Sequence, residues 1–273
     1  MDSLLWLIPL GFLIGAYGTL IGAGGGFVLM PVLILLYPDA DREVLTSISL
    51  AVVFLNASSG SWAYARLKRI DYQSGLLFSI TTVPGAILGA LTTGLLPHRL
   101  FDGIFGGLLI AASVIVFLGR VIPGVGRIKA DEPDYYRARR VVEADGSCHL
   151  YSYDLRRGMA LSFFVGFISS LLGIGGGIIH VPALVYLLDF PVHIATATSH
   201  FMLAIMALAG TGVHVATGTF SHGVRRTILL GVGVVFGAQL GAALSDRVRG
   251  RWIIRGLAVA LGFVGVRILM TAL

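Results

Sequence analysis

The chain has 273 residues, of which 56% are hydrophobic and only 12% charged. A soluble domain carries about 25% charged residues, so a water-soluble fold has no place for this much apolar surface, whereas a bilayer does. The formal charge of +6 is no argument for nucleic-acid binding, because basic residues collect in the loops beside membrane spans.

Apolar runs occupy about 4–37, 44–65, 72–96 and 100–119. The first follows Met1-Asp2-Ser3, which offers neither a basic leader nor a small-residue cleavage site, so it reads as a retained helix. A polar stretch at 120–157 holds Lys129, Asp131, Glu132, Asp134, Arg137, Arg139, Arg140, Glu143 and Asp145 and reads as a solvated mixed-charge loop. Apolar runs resume at 158–188, 194–217, 227–244 and 252–273. A spanning helix needs ~20 apolar residues, and no sustained alternation of the kind a membrane barrel requires is present. The expectation is an all-α polytopic membrane protein, with a first transmembrane repeat at 1–122, a cytoplasmic linker loop at 123–153 and a second repeat at 154–273. The single cysteine, Cys148, cannot form an internal disulfide.

The halves repeat. Gly15, Gly22, Gly24, Gly25, Gly26, Pro31 and Leu33 recur 151 residues later as Gly166, Gly173, Gly175, Gly176, Gly177, Pro182 and Leu184. Thr46, Ser47, Gly60, Gly85, Gly89 and Arg99 recur 152 residues later as Thr198, Ser199, Gly212, Gly237, Gly241 and Arg251. A Gly-x-Gly-Gly-Gly core with a proline at fixed distance, found twice, marks a duplicated unit. Matching Gly/Pro-interrupted apolar segments in two halves point to the substrate site of a secondary transporter.

As one straight helix, 4–37 would extend about 51 Å at 1.5 Å per residue, against a hydrocarbon core of ~30 Å. A re-entrant hairpin broken at Gly22–Gly26 fits better, and 158–188 gives the same arithmetic. Non-helical backbone at membrane depth must be buried in protein or line a wet cavity. Helices starting at Phe27 and Ile178 would aim free N–H groups and a partial positive charge at the midplane, which suits an anion. Tight helix packing is the competing role for these glycines.

With each half crossing three times, the second half is inverted. Arg66, Lys68, Arg69, the basic residues of the linker, Arg247, Arg249 and Arg251 then share the cytoplasmic side, leaving Arg42, Arg99, Arg225 and Arg226 outside. A plain eight-span arrangement separates the charges almost as well, so the positive-inside rule does not choose between them.

Among polar residues in the runs, no Asp or Glu lies deep, and Asp102 sits near an end. Cation carriers place carboxylates at their sites, so a small anion is the expected partner besides the lipid bilayer. Candidate contacts are Gly22, Ala23, Gly24, Gly25, Gly26, Gly173, Gly175, Gly176 and Gly177, with the hydroxyls of Thr46, Ser47, Thr198 and Ser199. A hydroxyl bonded to the carbonyl one turn back is the ordinary alternative. His180, His200 and His214 occur only in the second half; His200, beside the Thr-Ser pair, is the one expected to meet the anion or a coupling proton. Asn56 and Gln239 are further candidates, with interhelical bonding as their alternative. Arg255 and Arg267 can snorkel to the headgroups. No phosphate-binding loop, His-Glu-x-x-His or dinucleotide fingerprint occurs, so no cofactor, resident metal or ATP drive is expected. A homo-oligomer is a candidate assembly.

The twin elements Gly15-x6-Gly22-x-Gly24-Gly25-Gly26-x4-Pro31 and Gly166-x6-Gly173-x-Gly175-Gly176-Gly177-x4-Pro182, each followed by Thr-Ser, resemble the TauE/SafE family of permeases. The resemblance covers the chain outside 123–153. It implies a two-repeat exporter of sulfite or an organosulfonate, with functional weight on the glycine turns and the Thr-Ser pairs. Ile48 stands where the second half has His200, a departure from equal sharing of substrate contacts. Two other functions stay open: a membrane-embedded enzyme with His180, His200 and His214 around a metal, and an assembly partner or sensor acting through the 120–157 loop.

Overall fold

A computed structural model describes residues 4–118, 135–245 and 262–270. Its elements are α1 (Leu7–Ile21), α2 (Gly26–Leu36), α3 (Arg42–Arg66), α4 (Tyr72–Thr93), α5 (His98–Leu118), β1 (Tyr136–Val142), β2 (Cys148–Asp154), α6 (Leu155–Leu172), α7 (Gly177–Leu187), α8 (Val192–Ala216) and α9 (Val224–Leu244). A 3-10 turn at Thr219–His222 joins the last two. Five helices, α3, α4, α6, α8 and α9, are long and apolar enough to cross a membrane. The chain is a mostly helical, multi-pass membrane protein. The last apolar run, 252–273, is described only over 262–270, which is helical. Arg247, Arg249, Arg251 and Arg255 lie outside the described residues, as do Lys129, Asp131, Glu132 and Asp134 of the linker.

Helix–helix packing runs between the halves. α1 lies along α9, α4 along α6, and α3 along α8 in between. A methyl group added at Gly237 would sit 2.1 Å from the Phe12 carbonyl oxygen, and one at Gly241 2.2 Å from that of Ala16. The α4–α6 pair answers at the same repeat spacing: a methyl group added at Gly85 would sit 2.3 Å from the Phe163 carbonyl oxygen and one at Gly89 2.2 Å from that of Phe167. Only glycine admits such backbone approach, and in lipid this close packing replaces a hydrophobic drive between helices.

Both broken segments reverse the chain. α1 ends on Gly22 in the left-handed conformation, with the Ala23 amide returning to the Gly18 carbonyl at 2.8 Å. Left-handed backbone at Gly24 and Gly25 follows, and α2 begins on Gly26. Gly25 then lies beside Ile14, and the Phe27 ring beside that of Tyr17, so α2 folds back along α1. Gly173, Gly175 and Gly176 share these left-handed angles, and Gly176 folds back onto Val165 and Ser169. L-residues avoid this region by roughly 1–2 kcal/mol each, which accounts for the repeated glycines.

The linker departs from the expected solvated loop. Residues 136–154 form an antiparallel hairpin, Tyr136 opposite Asp154 and Val142 opposite Cys148, closed by a turn with Gly146 at φ 89°. Its inner face carries Tyr151 and Tyr153, both buried, against Phe78 of α4 and Phe190 before α8. Asp71, which caps α4, is the anchor. Its carboxylate accepts from Arg139 at 2.6 Å, from the Tyr151 hydroxyl at 2.6 Å and from the Ser74 hydroxyl at 2.5 Å. Arg69 meets Glu143 at 2.5 Å in the same docking surface.

Two predictions follow from this packing. Gly237→Val should cost at least the 1–3 kcal/mol typical of overpacking and cut the yield of folded protein. Gly107→Val, which meets nothing within 4 Å, should be near neutral, read by melting in detergent. The second concerns the hairpin. Burial alone would raise the Asp71 carboxyl, but Arg139, Ser74 and Tyr151 outweigh it and hold the group below the usual carboxylate range. A lowered carboxyl stabilises docking above its unfolded value, and that contribution is lost as pH falls through the folded value. A probe on Cys148 should therefore report a docked hairpin at neutral pH and release only below about pH 4.

Candidate functional site

The two broken segments meet at their backbones. A methyl group on Gly26 would lie 2.7 Å from the Ile174 carbonyl, and one on Gly177 2.5 Å from both Ala23 Cα and the Gly22 oxygen. These contacts interchange at the repeat spacing of 151 residues. All residues from Gly22 to Gly26 and from Gly173 to Gly177 are buried. The first turns of α2 and α7 therefore open beside each other in the protein interior.

Several amides there are unused. Val28 and Leu29 bond back to Gly25, and Ile179 and His180 bond back to Gly176. The N–H groups of Gly25, Gly26 and Phe27, and of Gly175, Gly176 and Ile178, have no acceptor among the described residues. Orphan amides are intrinsic to helix starts, and buried ones are costly to leave unpaired.

Buried side-chain donors line the same place. The Asn56 amide nitrogen has no partner and lies 3.4 Å from where a Gly25 methyl would be. The Ser169 hydroxyl, also unpartnered, is 2.6 Å from the corresponding point on Gly176. Thr46, with an unpartnered hydroxyl, packs on Gly173. Ser199 and Ser170 are buried with unpartnered hydroxyls as well, Ser170 against Gly210 of α8. The carboxylates of Glu43, Asp71 and Asp102 are at helix ends, outside this group.

A relay orients Asn56. The Thr19 hydroxyl donates to Asn56 Oδ1 at 3.0 Å and shares a hydrogen bond with His200 Nε2 at 3.2 Å. The Asn56 NH2 then lies toward the first break, beside Gly25. Tyr64 donates to the Thr19 carbonyl at 2.8 Å and meets the His200 ring edge-on at 5.7 Å. A methyl group at Gly60 would be 2.8 Å from His200 Nε2, so a glycine is needed there for the imidazole to fit.

The other expected residues divide. Ser47 bonds the Val44 carbonyl at 2.7 Å, the ordinary fate of a helical hydroxyl. Thr198 accepts from the Asp71 amide at 3.0 Å and so ties α8 to the hairpin anchor. Gln239 donates to the Ser59 carbonyl and hydroxyl, both at 2.8 Å, which joins α9 to α3 and uses the amide away from the breaks. His180 faces Ser162 at 3.2 Å. His214 is 14 residues beyond His200 on α8, about 21 Å along the axis, so the three histidines do not converge on one metal. No group of three or more His, Cys, Asp or Glu side chains able to hold a metal occurs among the described residues. Thr19, Tyr64, Ser169 and Ser170 were not expected from sequence. Ser169 and Ser170 stand at the repeat positions of Gly18 and Thr19, a signal visible only once Thr19 is known to matter.

Comparison with known proteins adds independent findings. The family model "Sulfite exporter TauE/SafE" matches residues 7–268. A Bacillus subtilis protein named "Probable membrane transporter protein YunE" is 31% identical over 98% of this chain and 97% of its own length. A Methanocaldococcus jannaschii protein, "Probable membrane transporter protein MJ0441", is 23% identical over 97% of this chain and 94% of its own. No solved structure gives a significant match.

Proposed function

The chain belongs to the sulfite exporter TauE/SafE family of membrane transporters, and from that premise we propose that it is a secondary exporter whose cargo, a small sulfur-containing anion, binds between the two glycine breaks. The observation that carries this reading is the pairing of two buried helix starts, with free amides on both and unpartnered Asn56, Ser169 and Thr46 around them. Every group offered is a donor or a hydroxyl. Two helix N-termini supply about half a positive charge each, so a sulfite or sulfonate head could exchange water for amides without a buried lysine or arginine.

Re-entrance is part of the same proposal. α1 has 15 residues and α2 has 11, about 22 and 16 Å, so neither crosses ~30 Å of hydrocarbon alone. A hairpin that enters, reverses at the glycines and leaves on the same side gives each half an odd number of crossings and inverts the second. The hairpin β1–β2, with Arg66, Lys68 and Arg69 beside it, lies on the cytoplasmic side in this arrangement. With both breaks buried in the present conformation, access requires one half to move against the other, as in alternating access. His200 acts here through Thr19 on Asn56 and need not touch the anion.

Proteoliposomes loaded with labelled sulfite, sulfoacetate or taurine should show saturable efflux of at least one; absence of all three fluxes would reject the substrate class. Hydrogen bonds to charged groups contribute about 1.5–3 kcal/mol, so Asn56→Leu should lower transport of the accepted anion by roughly ten- to a hundredfold. Gly25→Ala and Gly176→Ala should each do at least as much, with membrane insertion kept and Cys148→Ser serving as the unaffected control. Normal flux in both glycine variants would remove the breaks from the site.

A further inference from the structure

α3 and α8 run antiparallel, so the first turn of α3 lies beside the last turn of α8, at the end of the bundle opposite the hairpin. Glu43 occupies the former and His214 the latter. A helix start favours a carboxylate and a helix end favours a cation, which offsets part of the cost of burying charge at this contact. His214 is fully buried, and neither ring nitrogen has a hydrogen-bond partner. Its Nδ1 is 3.6 Å from Glu43 Oε1, just beyond bonding range. That same oxygen accepts from Thr219 Oγ1 at 2.8 Å. The Glu43 side chain is 24% exposed, which gives a proton a way in from water.

We propose that Glu43 and His214 form a proton-binding site whose occupancy closes this end of the transporter. A neutral His214 leaves an unpaired N–H in a dry place, which is costly. A protonated one gains a carboxylate and, after a shift of well under 1 Å, a charge-assisted hydrogen bond. Glu43 belongs to the first half and His214 and Thr219 to the second, so the proton draws the halves together. The effect reaches the anion site directly, since Thr46 lies one turn after Glu43 and carries Gly173 on its surface.

The α4–α5 connection packs on this pair, with Gly94 against the Glu43 carboxylate, and carries exposed His98 and Arg99 at the start of α5. Arg42 is committed to Asp102 at 2.8 Å and to the Pro38 and Ala40 carbonyls. Asp41 caps α3 through the Glu43 amide. The α8–α9 turn brings Thr219 and an exposed His222, and Arg226 lies over Tyr37. The titratable residues of α4 and α6 (Tyr72, Arg156 and Arg157) sit at the hairpin end. Glu43 is the group poised to share a proton with His214.

The test needs no substrate. In a Cys148→Ser background, Thr46→Cys reports opening of the Glu43 end to a membrane-impermeant maleimide added to vesicles with that face outward. The rate of the same maleimide with free cysteine at each pH corrects for thiolate content. The corrected rate should fall at least fivefold from pH 8 to 5.5. His214→Gln and Glu43→Gln should each flatten the change to under twofold, while Thr219→Val, which removes a neutral contact but no titratable group, should keep it. A flat response in the Thr46→Cys chain with Glu43 and His214 intact, or a full response after His214→Gln is added, would overturn the site. A second arm uses labelled sulfite and so rests on the proposed cargo: a pH gradient should accelerate sulfite efflux in the background chain and not in His214→Gln, whereas sulfite exchange at equal pH should survive in both. Loss of all sulfite flux would defeat the cargo assignment and leave the thiol result to decide the proton site.

Discussion

Two stretches of unwound backbone press against each other at the centre of this protein, Gly26 on Ile174 and Gly177 on Ala23. Everything else is arranged around keeping them there. Inside a membrane protein, amides that make no helical bond must be held against protein or given a ligand. α3 and α8 supply the enclosing wall, α1–α9 and α4–α6 clamp it from the flanks, and the orphan amides stay buried between them. A side chain at the contact would push the halves apart and let the pair drift out of register.

The core is close to symmetric in backbone and unequal in chemistry. The first break faces the Thr19, Asn56 and His200 relay; the second faces Ser169 and Ser49, and the Ser49 hydroxyl donates to the Gly173 carbonyl at 2.5 Å. The ends differ as well. At one, Asp71 is gripped by Arg139, Ser74 and Tyr151 while its amide holds Thr198. At the repeat-equivalent place, Gly223 replaces Asp71 and Thr46 keeps its hydroxyl free. The two ends of the bundle are therefore built unlike each other, one on a folded hairpin and the other on a carboxylate–imidazole contact.

Much of this was legible in the order of residues because it depended on local rules. Runs of apolar residues mark spans, and the doubled glycine cluster marks two breaks, since few other residues tolerate left-handed backbone. What escaped depended on tertiary placement. The hairpin did carry a local signal, Asp145-Gly146 between Tyr136–Val142 and Cys148–Tyr153, but its many charges mask it until Asp71 and Glu143 are seen to pair them. Thr19 and Tyr64 look like ordinary helical residues; only the crossing of α1, α3 and α8 makes them a chain leading to Asn56. Gln239 is the converse case, a polar residue in an apolar run that serves helix packing.

The interleaving of halves bears on how the chain is made. α1 leaves the ribosome well before α9, yet the surface it is shaped for belongs to that helix, more than two hundred residues later. Until then its glycine-lined face has only lipid or a chaperone to rest against. α4 waits a shorter time for α6. Assembly is therefore ordered from the middle outward, and a fragment ending after α5 would leave α1 without its mate.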